Sequence, residues 1–134
     1  MEDTLRANDK GIANDKGIAN GQNTALELAA LIREHRGEDV IVMDLRKINY
    51  WTDFFVIATV SSNTHLQGLQ RHIKDYAREK GIPILRGHRK TGADDEWNLT
   101  DLGNIVIHLM SANARSFYEL ERLWSAAVVL DTEP

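Results

Sequence analysis

The chain has 134 residues, 43% of them hydrophobic, 27% charged and none of them cysteine. That length suits one domain, and the lack of cysteine excludes disulfides, thiolate metal sites and a cysteine nucleophile. With 16 Lys and Arg against 20 Asp and Glu the net charge is −4, which disfavours a broad phosphate-reading surface and suits a basic protein partner or a small ligand.

The first residues contain no apolar core of the kind a secretion signal needs, and no run approaches the roughly 18 apolar residues of a membrane span. A cytoplasmic protein without membrane contact is therefore expected. Ala7 to Ile12 reads Ala-Asn-Asp-Lys-Gly-Ile, and Ala13 to Ile18 repeats it letter for letter. Six residues cannot make a stacking repeat, and so polar a stretch buries too little to offset its ordering entropy. Residues 1–23 are read as a disordered low-complexity tail, and residues 24–134 as the folded domain. Thr24 and Glu27 have capping-box spacing, and Ala25, Leu28, Leu31, Ile32 and His35 then fall on one helical face. Gly37 is placed to end that helix in the left-handed conformation.

Val40 to Leu45 is a short β-branched run, and Phe54 to Val60 a second strand covered on both faces. The connection around Asn49 is too short for a crossover helix, so the two strands should pair antiparallel. Ser61, Ser62, Asn63 and Thr64 are helix-capping residues. A helix with Leu66, Leu69, Ile73, Tyr76 and Ala77 inward should follow, stopped by Gly81 and Pro83. Ile84 to Arg86 reads as a short strand, and Gly87 to Glu96 as a polar loop. Trp97 to Thr100 and Asn104 to Met110 form a hairpin. A final helix from Ser111 carries Phe117, Leu120, Trp124, Ala127 and Val128 inward. The order α-β-β-α-β-β-β-α predicts an α/β fold with a mixed five-stranded sheet and three flanking helices.

Little catalytic chemistry is legible. No Gly-Lys-Ser/Thr triplet accompanies the scattered glycines, and the histidines at 35, 65, 72, 88 and 108 lack metal-ligand spacing. Neither a metal nor a cofactor is expected. Ser61 and Ser62 lack the flanking glycines of a nucleophile elbow and read as helix caps. His65 falls in the first helical turn, where it satisfies free N–H groups or faces a ligand. His108, inside an apolar strand, reads as a core histidine rather than a base. Asp94, Asp95 and Glu96 form either a solvated loop end or an acidic contact for a basic partner, with Trp97 beside them.

From Asp53 onward the sequence closely resembles the ribosomal silencing factor family, the Iojap-like or RsfS proteins. The resemblance is carried by Asp53-Phe54-Phe55-Val56-Ile57-Ala58-Thr59, then Ser62, His65 and Trp97. It continues through Asp101-Leu102-Gly103-Asn104-Ile105-Val106-Ile107-His108-Leu109-Met110 and Arg115-Ser116-Phe117-Tyr118-Glu119-Leu120-Glu121-Arg122-Leu123-Trp124. Two features depart from the family pattern: Val60 stands where a glycine is usual, and the stretch from Gly87 to Trp97 is lengthened.

The resemblance implies a nucleotidyltransferase-like fold without catalysis, since no Asp-x-Asp follows Val60-Ser61-Ser62. It implies a translational repressor that binds ribosomal protein L-fourteen on the large subunit and blocks joining of the small subunit when nutrients are scarce. It also implies a homodimer when free, with ribosomal RNA at most a peripheral contact. The alternatives are a vestigial nucleotidyltransferase-like enzyme and a small RNA-binding module using Arg86, Arg89 and Lys90. The partner surface is expected to combine Trp97, Asp101, His108, Met110 and Tyr118 with an acidic rim of Asp94, Asp95 and Glu96. Even spacing puts Trp97 with Asp101, and His108 with Met110, on shared sheet faces.

Overall fold

The computed structural model describes residues 7–48, 52–90, 96–123 and 127–132. In chain order these form α1 (Ala7–Glu34), β1 (Glu38–Asp44), β2 (Phe54–Thr59), α2 (Asn63–Lys80), β3 (Arg86–Lys90) and β4 (Trp97–Asp101). They continue with β5 (Ile105–Met110), α3 (Ala112–Tyr118), α4 (Leu120–Leu123) and β6 (Val128–Thr132).

Helix α1 opens at Ala7, so Thr24 lies inside it and caps nothing. The backbone of residues 7–23 is helical where composition predicts disorder. Once the turns around Leu28 and Ile32 are docked, each added residue gains a hydrogen bond without a second nucleation cost. The docked part reaches at least to buried Gly21, where a Cβ would stand 2.7 Å from Asn104 Nδ2. At the other end Arg36, not Gly37, takes the left-handed conformation (φ 72°). The Gly37 N–H then reaches back to the Ile32 carbonyl at 2.8 Å, closing a Schellman turn. Gly37 is required for space: a Cβ would lie 2.2 Å from Ile32 Cγ2.

The second helix follows its sequence signals. The Ser62 hydroxyl accepts the His65 N–H at 3.0 Å, and Gly81 (φ 70°) closes the C-terminus. Leu66, Leu69, Ile73 and Ala77, three or four residues apart, form its buried stripe.

The strands lie in the order β3-β4-β5-β2-β1-β6. β1 runs antiparallel to β2, β2 parallel to β5, and β5 antiparallel to β4, the expected hairpin. The predicted α/β class and mixed sheet are therefore present, and β6 adds a sixth strand antiparallel to β1. The third strand is shifted: β3 begins at Arg86, where the sequence reading ends it. The predicted last helix breaks at Glu119 (φ 46°), with α4 on the far side. Val128, predicted as part of its inward stripe, opens β6 instead, and Trp124 lies outside the described residues, as does the turn at Asn49.

Alternation along the central strands separates two cores. Phe54, Val56, Ala58, Ile105, Ile107 and Leu109 face α1 and α2, meeting Leu28, Ile32, Leu69 and Ile73. Phe55, Ile57, Val106 and Met110 face the other way, toward Ala114 of α3 and Leu120 of α4. Each position change along a strand reverses the face, so a continuous apolar run serves both layers.

Candidate functional site

The side of the sheet that carries α3 is the one that reaches solvent as an aromatic surface. On β4, Trp97, Leu99 and Asp101 share this half-exposed face, while Asn98 and Thr100 are buried on the other. The register sets Trp97 opposite Met110 and Leu99 opposite His108. Trp97 is thus the diagonal neighbour of His108, within reach for an aromatic side chain.

The indole Nε1–H of Trp97 donates to His108 Nδ1 at 3.2 Å. Because Nδ1 accepts, the neutral ring carries its proton on Nε2. That nitrogen is buried with no hydrogen-bond partner. Phe55 meets the imidazole edge-on, with ring centroids 4.4 Å apart. Burial, with the Arg115 guanidinium adding to it, pushes the His108 pKa down to about 3, so the ring stays neutral. Arg115 itself donates from Nη1 to Thr59 Oγ1 at 2.9 Å.

From Trp97 the rings continue outward. Tyr118 lies 4.5 Å from Trp97 between centroids, and Phe117 meets Tyr118 edge-on at 4.9 Å. Phe117 is 79% exposed, the most exposed large hydrophobic side chain among the described residues. Sequence reasoning placed it inward by extending one helical stripe to Leu120. Left-handed Glu119 ends α3 and breaks that phase, so Leu120 is buried without carrying Phe117 inward. The start of α3 is fixed to β4 through Ser111, whose hydroxyl accepts the Ala114 N–H at 3.0 Å and donates to Glu96 Oε1 at 2.8 Å. The Ser111 N–H also donates to the Glu96 carbonyl at 2.8 Å. A shallow groove results, lined by Glu96, Asn113, Ala114, Phe117 and Tyr118.

The structure therefore brings together Glu96, Trp97 and Tyr118 of the predicted surface, and adds Phe117. His108 (5% exposed) and Met110 (0%) are corrected from surface residues to the floor beneath it. Asp101 stands at the other end of β4, about 13 Å from Trp97 at the usual rise per residue. Its Oδ1 accepts the Gly103 N–H at 2.8 Å, a role in the hairpin turn. Asp94 and Asp95 lie outside the described residues.

Ser61 and His65 make a second arrangement to be judged. The Ser61 hydroxyl is 3.2 Å from His65 Nδ1, but that nitrogen already accepts the Ser61 backbone N–H at 3.0 Å. The single lone pair is committed to the chain, and Nε2 donates to the His35 carbonyl at 2.9 Å. His65 thus caps the start of α2 and ties it to the turn after α1. Nearby, His35 and His72 stack with centroids 3.6 Å apart. Parallel rings direct their lone pairs side by side rather than toward one ion, and no group of three or more metal-ligating residues occurs among the described residues.

The profile of the family described as "Ribosomal silencing factor during starvation", RsfS, matches residues 19–134. The chain belongs to the RsfS family. The ribosomal silencing factor RsfS of Bacillus subtilis is 35% identical over 114 residues, covering 84% of this chain and 94% of that protein. The RsfS of Treponema pallidum is 37% identical over 105 residues, covering 78% and 93%. A crystal structure of a Chromobacterium violaceum protein superposes with a TM-score of 0.67 at 28% identity, over 81% of this chain and 86% of that one. RsfS membership places the chain among ribosome-associated regulators of translation. The match also begins inside α1, ahead of Thr24, in keeping with the buried position of Gly21. No helix among the described residues is long and apolar enough to cross a membrane.

Proposed function

We propose that this RsfS-family chain represses translation by docking its Trp97–Tyr118–Phe117 surface on ribosomal protein L-fourteen of the large subunit. Bound there, it sterically blocks the small subunit from joining under nutrient limitation. The observation that supports this reading is the aromatic series itself, rooted on buried His108 and ending in a Phe117 that is 79% exposed. Leaving a large aromatic side chain in water forgoes roughly 1.5–3 kcal/mol of burial. Clustered exposed aromatics are the composition of interface centres. Glu96 at the rim, in a chain of net charge −4, complements a basic ribosomal protein and steers its approach. The proposal includes a cytoplasmic homodimer as the unbound form and ribosomal RNA as a peripheral contact only.

Sucrose-gradient sedimentation tests the reading. The chain should travel with large subunits, bind purified L-fourteen, and lower the yield of joined ribosomes when subunits are mixed. A chain that stays at the top of the gradient in the presence of large subunits would refute it.

A further inference from the structure

We infer that His108 is a positioning residue for partner binding: its Nδ1 fixes the Trp97 indole in the orientation that presents the Trp97–Tyr118–Phe117 surface. The inference rests on the docking reading above.

Strand β5 reads Ile-Val-Ile-His-Leu-Met, and all six residues are buried. An imidazole in that run forgoes hydration, and its Nε2–H has no acceptor. A buried donor left unpaired costs about 1–3 kcal/mol, so packing alone favours an aliphatic residue here. The feature an aliphatic residue would lack is the acceptor that Nδ1 offers the Trp97 Nε1–H at 3.2 Å.

The imidazole is well suited to that task. Phe55 holds one edge at 4.4 Å between centroids, so the ring cannot swing freely. Trp97 is half-buried, with His108 and Tyr118 at 6.0 and 4.5 Å between ring centroids. An indole in this place has several staggered rotamers open to it. A directional bond selects the one that meets Tyr118 at a tilted 49° ring contact, and Tyr118 in turn meets Phe117 edge-on. Orientation is thereby set from the core outward, before a partner arrives, which reduces the ordering cost of association.

The test uses the full chain, large-subunit binding, and the ¹⁵N-indole signals, with the Trp97 signal assigned by its loss in Trp97→Phe. In His108→Leu the Trp97 indole signal should move upfield and large-subunit affinity should fall about tenfold, the scale of one oriented hydrogen bond. His108→Asn, whose amide oxygen takes the place of Nδ1, should recover most of both. In a Trp97→Phe background, which keeps an aromatic ring but no donor, His108→Leu should cost nothing further.

His108→Leu binding within twofold of the parent despite a shifted indole would overturn the inference. An equal loss in the Trp97→Phe background would do so too, since His108 would then act only through general packing. Should His108→Leu fail to fold, Trp97→Phe decides alone: unchanged affinity shows that the bond positions nothing. Trp97→Ala reads the docking surface separately. Full affinity in that variant removes the docking reading, and the positioning role with it, whereas a loss there beside an intact His108→Leu removes the positioning role only.

Discussion

The two faces of the sheet are finished differently. One is closed by long helices: α1 and α2 seat Leu28, Ile32, Leu66, Leu69 and Ile73 on buried residues of β1, β2 and β5. The other is covered by α3 and α4, of 7 and 4 residues, and holds its polar groups, His108 and Arg115 with Thr59, just beneath Trp97 and Tyr118. A face closed by aliphatic packing commits its apolar area to the core. A face under-covered by short helices keeps aromatic area at the surface and requires other means of ordering it. In this chain those means are the Trp97–His108 bond and the Ser111–Glu96 pair.

Truncation on the closed face should give the largest stability effect. Leu28 is 0% exposed, and Leu28→Ala should lower unfolding free energy by roughly 2–5 kcal/mol, through lost transfer energy plus the cavity left behind. Urea titration measures this, and the folded fraction should still bind large subunits with unchanged affinity. A loss of affinity per folded molecule would show that the two faces are not independent.

Acid should act on the other face. Burial holds His108 at about 3, against an ordinary value of 6.5. The unfolded chain therefore takes up this proton first, and native stability falls as pH drops from 6.5 toward 3. At roughly 1.4 kcal/mol per pKa unit the loss over that window amounts to a few kcal/mol. Asp44 is depressed, chiefly by its hydrogen bond from Arg46, so its stabilisation is lost only below the usual carboxylate range. Denaturant midpoints of the parent and His108→Asn should therefore converge as pH falls from 6.5 to 4. Parallel midpoints across that range would show that His108 is already free to titrate.

Much of this architecture is readable in the residues. The runs Phe54 to Thr59 and Ile105 to Met110 are too apolar for one-sided strands, and both are buried throughout. The antiparallel pairing of β1 with β2 follows from their short connection, and Ser62 and Gly81 mark the ends of α2 by side-chain chemistry and backbone freedom. The site was less legible, for identifiable reasons. The helix break falls at Glu119, a left-handed residue with none of glycine's signal, so periodicity carries Phe117 into the core and Val128 into a helix. The Trp97–His108 bond joins residues 11 apart through sheet register. Even spacing correctly put His108 and Met110 on one face, but spacing does not say which face lies under another element. The departure of α1 from its expected start has the same origin: helix propagation depends on what the docked part supplies, not on local composition alone.

Phe117→Ala sharpens the contrast between the faces. The side chain is mostly in water, so its removal should change stability by less than about 0.5 kcal/mol. If it anchors the docking surface, affinity for large subunits should fall about tenfold or more, since a few buried aromatics dominate most interfaces. Most of that loss should be in the off-rate. Glu96→Lys should instead slow association and flatten its salt dependence, because rim charges act on encounter. Stopped-flow association at two ionic strengths separates the two variants.

The smallest effect is expected from the repeated segment. We propose that the folding unit begins near Gly21, which is buried where α1 passes close to Asn104 and Phe54. Upstream, two copies of Ala-Asn-Asp-Lys-Gly-Ile supply little apolar area, and each glycine costs a helix about 1 kcal/mol relative to alanine. Such a helical extension is sustained by its docked end and gives little back to it. Removing residues 1–18 should leave the melting temperature within about 2 °C, below the shift that 1 kcal/mol produces in a domain of this size. Large-subunit affinity should also be unchanged, since α1 closes the face opposite the aromatic surface. A larger drop in melting temperature would move the boundary of the domain into the repeat. Lost affinity at constant melting temperature would make the repeat part of the docking surface and break the division between the two faces.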